Sequence, residues 1–203
     1  MPADLSARGP SLSLRYPQAQ DAPRLFEFAS NAEVTQYFSW GPYRKQEDAA
    51  EWIASVPAHR ADGTALEFVI ADSSDEPIGV AALIEFSIRD RRCVIGIWLG
   101  RPFWGTGAGD EAEAMLAQIA FGPLRIERLA AWVDVNNPRS QRAFERLGFT
   151  NEGVLRAFQR HADERRDLIA YSILRDEWRT SNMAAVAIDM TGEAPGRFVC
   201  APR

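Results

Sequence analysis

The first apolar pattern in the chain is an alternation. Leu12, Leu14 and Tyr16 are separated by polar residues, which predicts a first strand. Asp21 precedes Ala22-Pro23 as an N-cap, and Leu25, Phe28 and Ala29 follow at helical spacing. An aromatic-rich loop over residues 34–42 breaks that helix. A second predicted helix carries Ala49, Trp52 and Ile53 on one face and stops near Pro57. Strand-like runs follow at 67–71, 78–88 and 93–99, joined by the polar turns 72–77 and 89–92. Three strands in a row on such short connections should be antiparallel neighbours.

The second half changes character. A glycine-rich stretch, 100–109, opens a helix with Met115, Leu116, Ile119 and Ala120 on its apolar side. A strand at 128–133 leads to a short helix from Pro138 to about Leu147, closed by Gly148 in the manner of a C-terminal glycine. Two last strands fit at 153–156 and 167–174. The pattern predicts a mixed, largely antiparallel sheet with helices packed on it, an α/β (α+β) fold forming one domain over residues 11–179. The small, irregular sequence from Ser181 makes 180–203 an appended tail.

Composition narrows the classes. Hydrophobic residues at 46% and charged residues at 25% of 203 suit one globular domain. No apolar run approaches the roughly 18 residues that cross a bilayer, and the N-terminal segment lacks the apolar core of a signal peptide. Cys93 and Cys200 give neither a disulfide framework nor metal-ligand spacing, so the expectation is a reduced, cytoplasmic protein without metal. A net charge of -5 argues against gripping nucleic-acid phosphates and is compatible with an amine-bearing substrate.

The loop Trp104-Gly105-Thr106-Gly107-Ala108-Gly109 carries the first candidate chemistry. Three glycines at alternate positions free the backbone so that several N–H groups can point one way. Leading into a helix N-terminus, they could form a nest for an anionic phosphate or a plain strand-to-helix turn. The loop fits neither of two known phosphate fingerprints. Counted from Gly105, the sixth place of G-x-G-x-x-G holds Asp110, and counted from Gly107 the last glycine is again missing. A P-loop requires Gly-Lys, whereas the chain's single lysine is Lys45.

Downstream, Asn137 is a good N-cap and Pro138 a good first helical residue, with Ala143, Phe144 and Leu147 forming an apolar face. The segment 137–149 reads N-P-R-S-Q-R-A-F-E-R-L-G-F. Together with the glycine loop one helix and one strand upstream, it resembles the GCN5-related N-acetyltransferase (GNAT) superfamily. That family joins a loop of the form Q/R-x-x-G-x-G/A to N-x-x-S-x-R-x-x-E-K/R-L-G-F. The runs 95–99, 152–156 and 171–174 are similar to those of its RimJ/RimL-like subgroup.

The resemblance implies acetyl-CoA as acyl donor, bound at a splay between central strands. It implies that the backbone of Ile97, Trp98 and Leu99 holds the pantetheine arm and polarises the thioester carbonyl. The N–H groups of Trp104, Gly105, Thr106, Gly107, Ala108 and Gly109 would bind the pyrophosphate, Asn137 would bond the pantetheine, Ser140 would face the sulfur, and Arg142 would reach the phosphates. Tyr37, Phe38 and Trp40 would wall the acceptor amine, either a peptide N-terminus or a small molecule such as a polyamine, aminoglycoside or amino acid. The implied oligomeric state is a monomer or homodimer.

Three positions depart from the family pattern. Trp104 stands in place of Gln or Arg, Phe144 in place of the tyrosine that protonates the departing thiolate, and Val94 in place of a strand glutamate. Ser140 is then the nearest hydroxyl for the sulfur. Glu85 is the expected general base, with Asp134 behind it. These losses also leave open a non-catalytic acyl-CoA-binding module.

Overall fold

A computed structural model describes residues 4–161 and 163–202. The elements run β1 (Ser6–Arg8), β2 (Ser13–Arg15), α1 (Ala22–Ala29), α2 (Ala32–Thr35), α3 (Gln46–Asp62), β3 (Ala65–Ala71), β4 (Pro77–Ser87) and β5 (Arg92–Leu99). They continue with α4 (Ala108–Phe121), β6 (Arg128–Asp134), α5 (Pro138–Arg146), β7 (Thr150–His161), β8 (Glu164–Leu174), α6 (Arg175–Arg179) and β9 (Asp189–Thr191). One sheet holds the strands in the order β7-β8-β6-β5-β4-β3-β2-β1-β9. Every neighbouring pair is antiparallel except β5 with β6.

The alternation within the strands sorts the core into two layers. Leu66, Phe68 and Ile70 of β3, with Ala81 and Leu83 of β4 and Ile95 of β5, face α4. Val69, Ala71 and Val80 face α1 and α3. Helix α4 is buried along most of its length, and the four residues expected on its apolar side are all covered. At about 1.5–3 kcal/mol for each large side chain taken from water, this helix is a major contributor to stability.

Several local expectations change. Asp21 occupies the cap position of α1, but its carboxylate instead accepts from the Gln18 amide at 2.7 Å and from the Arg15 guanidinium at 2.8 and 2.9 Å. Helix α3 does not stop at Pro57. It runs through to Asp62, where Gly63 at φ 76° supplies the left-handed turn that ends it. Proline forfeits one backbone bond, and the burial of Ile53 and Val56 in the turn before it keeps the helix in place. The last two strands are longer than expected and form a hairpin whose outer strand, β7, is mostly exposed.

The segment expected as an appended tail packs into the main core. Met183, Phe198 and Cys200 are buried, β9 pairs with β1, and the Gln118 side chain of α4 donates to the Met183 and Val186 carbonyls. The Phe198 ring meets Phe86 edge to face, with centroids 4.5 Å apart.

Candidate active site

Strands β5 and β6 pair only over residues 92–94 and 128–130, and beyond Val94 they separate. A cavity of about 600 Å³ fills the resulting splay between β5, β6, α4 and α5. Which backbone groups face it follows from the ladder on the other side of β5. The Gly100 amide donates to the Ile78 carbonyl at 2.8 Å, and Val80 lies opposite Trp98 and Ala82 opposite Gly96. Antiparallel bonding alternates, so Gly96 and Trp98 turn their backbone groups to β4, while Ile95, Ile97 and Leu99 turn theirs to the splay. The Leu99 carbonyl is taken by the Trp104 indole N–H at 2.9 Å. Within the expected run 97–99, Ile97 therefore keeps both backbone groups open to the cavity.

The glycine loop forms the outer end. Gly105 and Gly107 have φ of 74° and 91°, and a Cβ at either would meet nothing within 4 Å. This left-handed backbone is accessible to glycine at little cost. The loop leads into the first turn of α4. Among the described residues the amides of Gly105, Thr106, Gly107, Gly109 and Asp110 donate to no protein acceptor. The Trp104 amide instead reaches Arg101 at 3.3 Å, and the Ala108 amide lies 3.4 Å from the Thr106 hydroxyl. Gly105, Gly107 and Gly109 line the cavity, whereas Thr106 and Ala108 do not. Trp104 acts as a brace: besides the Leu99 bond, its ring carries Arg139 at 3.4 Å and Arg101 at 4.8 Å. Burial, followed by the neighbouring Arg101 charge, lowers the proton affinity of Arg139.

On the α5 wall, the Asn137 carboxamide oxygen caps the helix by accepting from the Ser140 amide at 3.2 Å. Its NH₂ group, which no described protein group engages, is left to donate to a ligand. Ser140, Arg142 and Phe144 all line the cavity. Phe144 also packs against Phe149 and Tyr171, with centroids 4.9 and 5.9 Å away.

The two candidate bases separate clearly. Asp134, at the end of β6, is buried on the cavity wall; it accepts from the Asn136 amide at 2.8 Å and lies 3.5 Å from the Arg166 guanidinium. Glu85 does not reach the cavity. A register shift between Ile84 and Ser87, with Glu85 at φ 51°, turns its carboxylate outward, where both oxygens sit 3.2 Å from the Trp132 indole nitrogen. Among the expected acceptor aromatics, Tyr37 and Phe38 line the cavity. Trp40 stands outside the lining and packs against Phe38, Tyr43 and Trp98.

Residues missed from sequence include Trp132, Gln159, Arg139 and Glu113, all on the lining. Glu113 carried a legible signal, because it interrupts the apolar stripe of α4 one turn before Leu116 and Ala117. A second hollow of about 450 Å³ adjoins the first across Tyr37 and the Asp134–Val135 step, lined among others by Gln36, Asn136, Arg165 and Arg166. Among the described residues there is no cluster of His, Cys, Asp or Glu suited to a metal, and no helix long and apolar enough to cross a membrane.

A family model described as "Acetyltransferase (GNAT) domain" matches residues 11–150, and the chain belongs to that family as an acyl-CoA-dependent N-acetyltransferase. The uncharacterized N-acetyltransferase p20 of Bacillus licheniformis is 30% identical, over 82% of this chain and 94% of its own length. The spermidine N(1)-acetyltransferase of Escherichia coli K12 is 26% identical, over 71% of this chain and 76% of its own. A solved spermidine N-acetyltransferase from Vibrio cholerae, in complex with CoA and spermine, superimposes with a TM-score of 0.72 at 23% identity, over 82% and 97% of the two chains.

Proposed function

We propose that this protein acetylates the α-amine of a peptide, using acetyl-CoA bound in the splay. The adjoining second hollow carries this reading, because it gives a chain entering at Asp134 a polar path outward along Gln36, Asn136 and Arg165. Room for acetyl-CoA is supported by the empty space above Gly105 and Gly107 and by the unengaged amides beside it. Bound acetyl-CoA supplies an activated acyl group and a thiol that leaves. The open amide of Ile97 orients and polarises the acyl carbonyl, and the glycine-loop amides with the α4 dipole hold the phosphates. The Asn137 NH₂ and Arg142 complete the grip. Asp134 takes a proton from the incoming ammonium, and Tyr37 and Phe38 wall the amine in. With Cys93 and Cys200 both free and buried, we place the protein in the reducing cytoplasm.

A polyamine acceptor is the second reading, favoured by the Asp134 carboxylate on the cavity wall and by Glu85 outside it, where it accepts from the indole of the lining residue Trp132. Thiol release from acetyl-CoA, measured with peptides and polyamines side by side, decides between them. Peptides should give the higher kcat/KM. Turnover on polyamines alone would reverse the order, and acetyl-CoA binding without turnover on either would favour a binding module.

Ser140 is assigned to the leaving sulfur, since Phe144 offers no hydroxyl. Ser140→Ala should lower kcat roughly tenfold while acetyl-CoA affinity moves little, because the hydrogen bond strengthens as charge builds on sulfur. Phe144→Tyr in that background should restore part of the loss. An unchanged kcat with a lower melting temperature would reduce Ser140 to a helix-start residue.

A further inference from the structure

We propose that Glu113 is an uncharged hydrogen-bond donor in the cavity floor, contacting the pantetheine arm of the acyl donor, an assignment that rests on the acetyl-CoA reading above. Glu113 sits in the second turn of α4, four residues after Gly109 and therefore on the same helix face. That face looks at β5, since a Cβ on Gly109 would stand 3.6 Å from the Ile97 side chain and 3.8 Å from that of Leu99. Both Gly109 and Glu113 line the cavity. Glu113 is only 4% exposed, and among the described residues its Oε2 has no hydrogen-bond partner. A buried carboxyl without a partner costs stability, and Leu116, Ala117 and Ala120 on the same stripe mark what the fold itself favours there. The partner must therefore come from outside the chain, through the cavity that the side chain faces.

The charged groups around it leave no competing partner. On its own helix Asp110 is the nearest, and from α5 Arg146 approaches, but these two bond each other at 2.6 and 3.0 Å. Arg139 and Arg142 of α5 and Asp134 of β6 line other parts of the cavity. Strand β5 presents Ile95, Ile97 and Leu99, which do not titrate. Desolvation first, then the Asp110 charge, pushes the Glu113 carboxyl up to about 8, with Arg146 opposing. At neutral pH the group keeps its proton and can donate to an amide carbonyl, the polar chemistry along a pantetheine arm.

The test measures acetyl-CoA binding by calorimetry and unliganded melting temperature for Glu113→Gln and Glu113→Leu across pH 5–9. Acetyl-CoA is the probe because its thioester does not titrate. Glu113→Leu should raise the unliganded melting temperature by roughly 5 °C near pH 8 and yet weaken acetyl-CoA binding at least fivefold. Glu113→Gln, which keeps an N–H donor, should hold affinity within about twofold.

The pH signature follows from linkage. The folded carboxyl binds its proton up to about pH 8, whereas the unfolded one releases it near 4.5. Between those values the folded state holds more protons, so stability falls as pH rises through the window and levels off above it. Parent affinity should likewise drop above pH 8, and the glutamine variant should lose both slopes. Equal binding by the parent and Glu113→Leu, or the same pH dependence in the parent and Glu113→Gln, would overturn the proposal. A parent that fails to bind acetyl-CoA at all would bring down the reading of the site itself.

Discussion

Asp134→Asn should lower kcat/KM for the amine by about 10²–10³ while leaving acetyl-CoA affinity within about twofold, consistent with loss of a positioned base. An amine attacks a thioester only after losing its proton, and of the two candidate bases Asp134 is the one that the fold brings to the cavity wall. The substitution is nearly isosteric. The amide oxygen can still accept from the Asn136 amide, so the turn between β6 and α5 should persist. Arg166 loses its charged partner but keeps the Gln36 carbonyl, which holds the stability cost to about 1–2 kcal/mol. The loss should be larger for alkyl amines, with pKa near 10.4, than for peptide N-termini near 7.7–8.0, because the latter are partly deprotonated at neutral pH. Steady-state kinetics with both acceptor types checks this. Full activity in Asp134→Asn, with a collapse in Glu85→Gln, would move the base to the outer carboxylate and route the proton past Trp132.

That reversal of rank between Glu85 and Asp134 illustrates which features a sequence discloses. Strand alternation assigns a side to each residue only while the register is unbroken. The shift between Ile84 and Ser87 sends Phe86 toward the Phe198 core and Glu85 toward Trp132, and nothing in the local residue pattern announces a left-handed glutamate. By contrast, β3 to β5, the glycine loop and the Asn137 cap are legible because each depends on neighbours a few residues away: turn residues, glycines at φ > 0, and a capping carboxamide. The C-terminal segment escapes such a reading for the opposite reason. Phe198 and Cys200 are buried by residues more than 70 positions distant, among them Leu124, whose carbonyl takes the Cys200 amide at 3.0 Å. The splay itself is reached only through family resemblance, since the pattern of β5 and β6 does not tell where a parallel pair stops bonding.

The glycine loop is legible as either a nest or a turn, and one pair of substitutions separates the two. Gly107→Val should raise the acetyl-CoA dissociation constant at least tenfold. Two effects follow from adding a side chain at φ 91°. The backbone acquires strain of about 1–2 kcal/mol, common to any L-residue forced into the left-handed region. The side chain also enters space that the protein leaves empty beside the loop, and would bar a phosphate from close approach to its amides. Gly148 provides the control. It too has a large positive φ, 88°, and an added Cβ there would meet nothing within 4 Å, but it ends α5 and does not line the cavity. Gly148→Val should therefore lose similar stability and keep the parent's affinity. Calorimetry on both variants, with melting temperatures alongside, isolates the ligand effect from the strain. If both weaken acetyl-CoA binding equally, strain relayed through the helices is responsible and the amide cradle is not the phosphate site. If neither does, the three glycines serve only to turn the chain from β5 into α4.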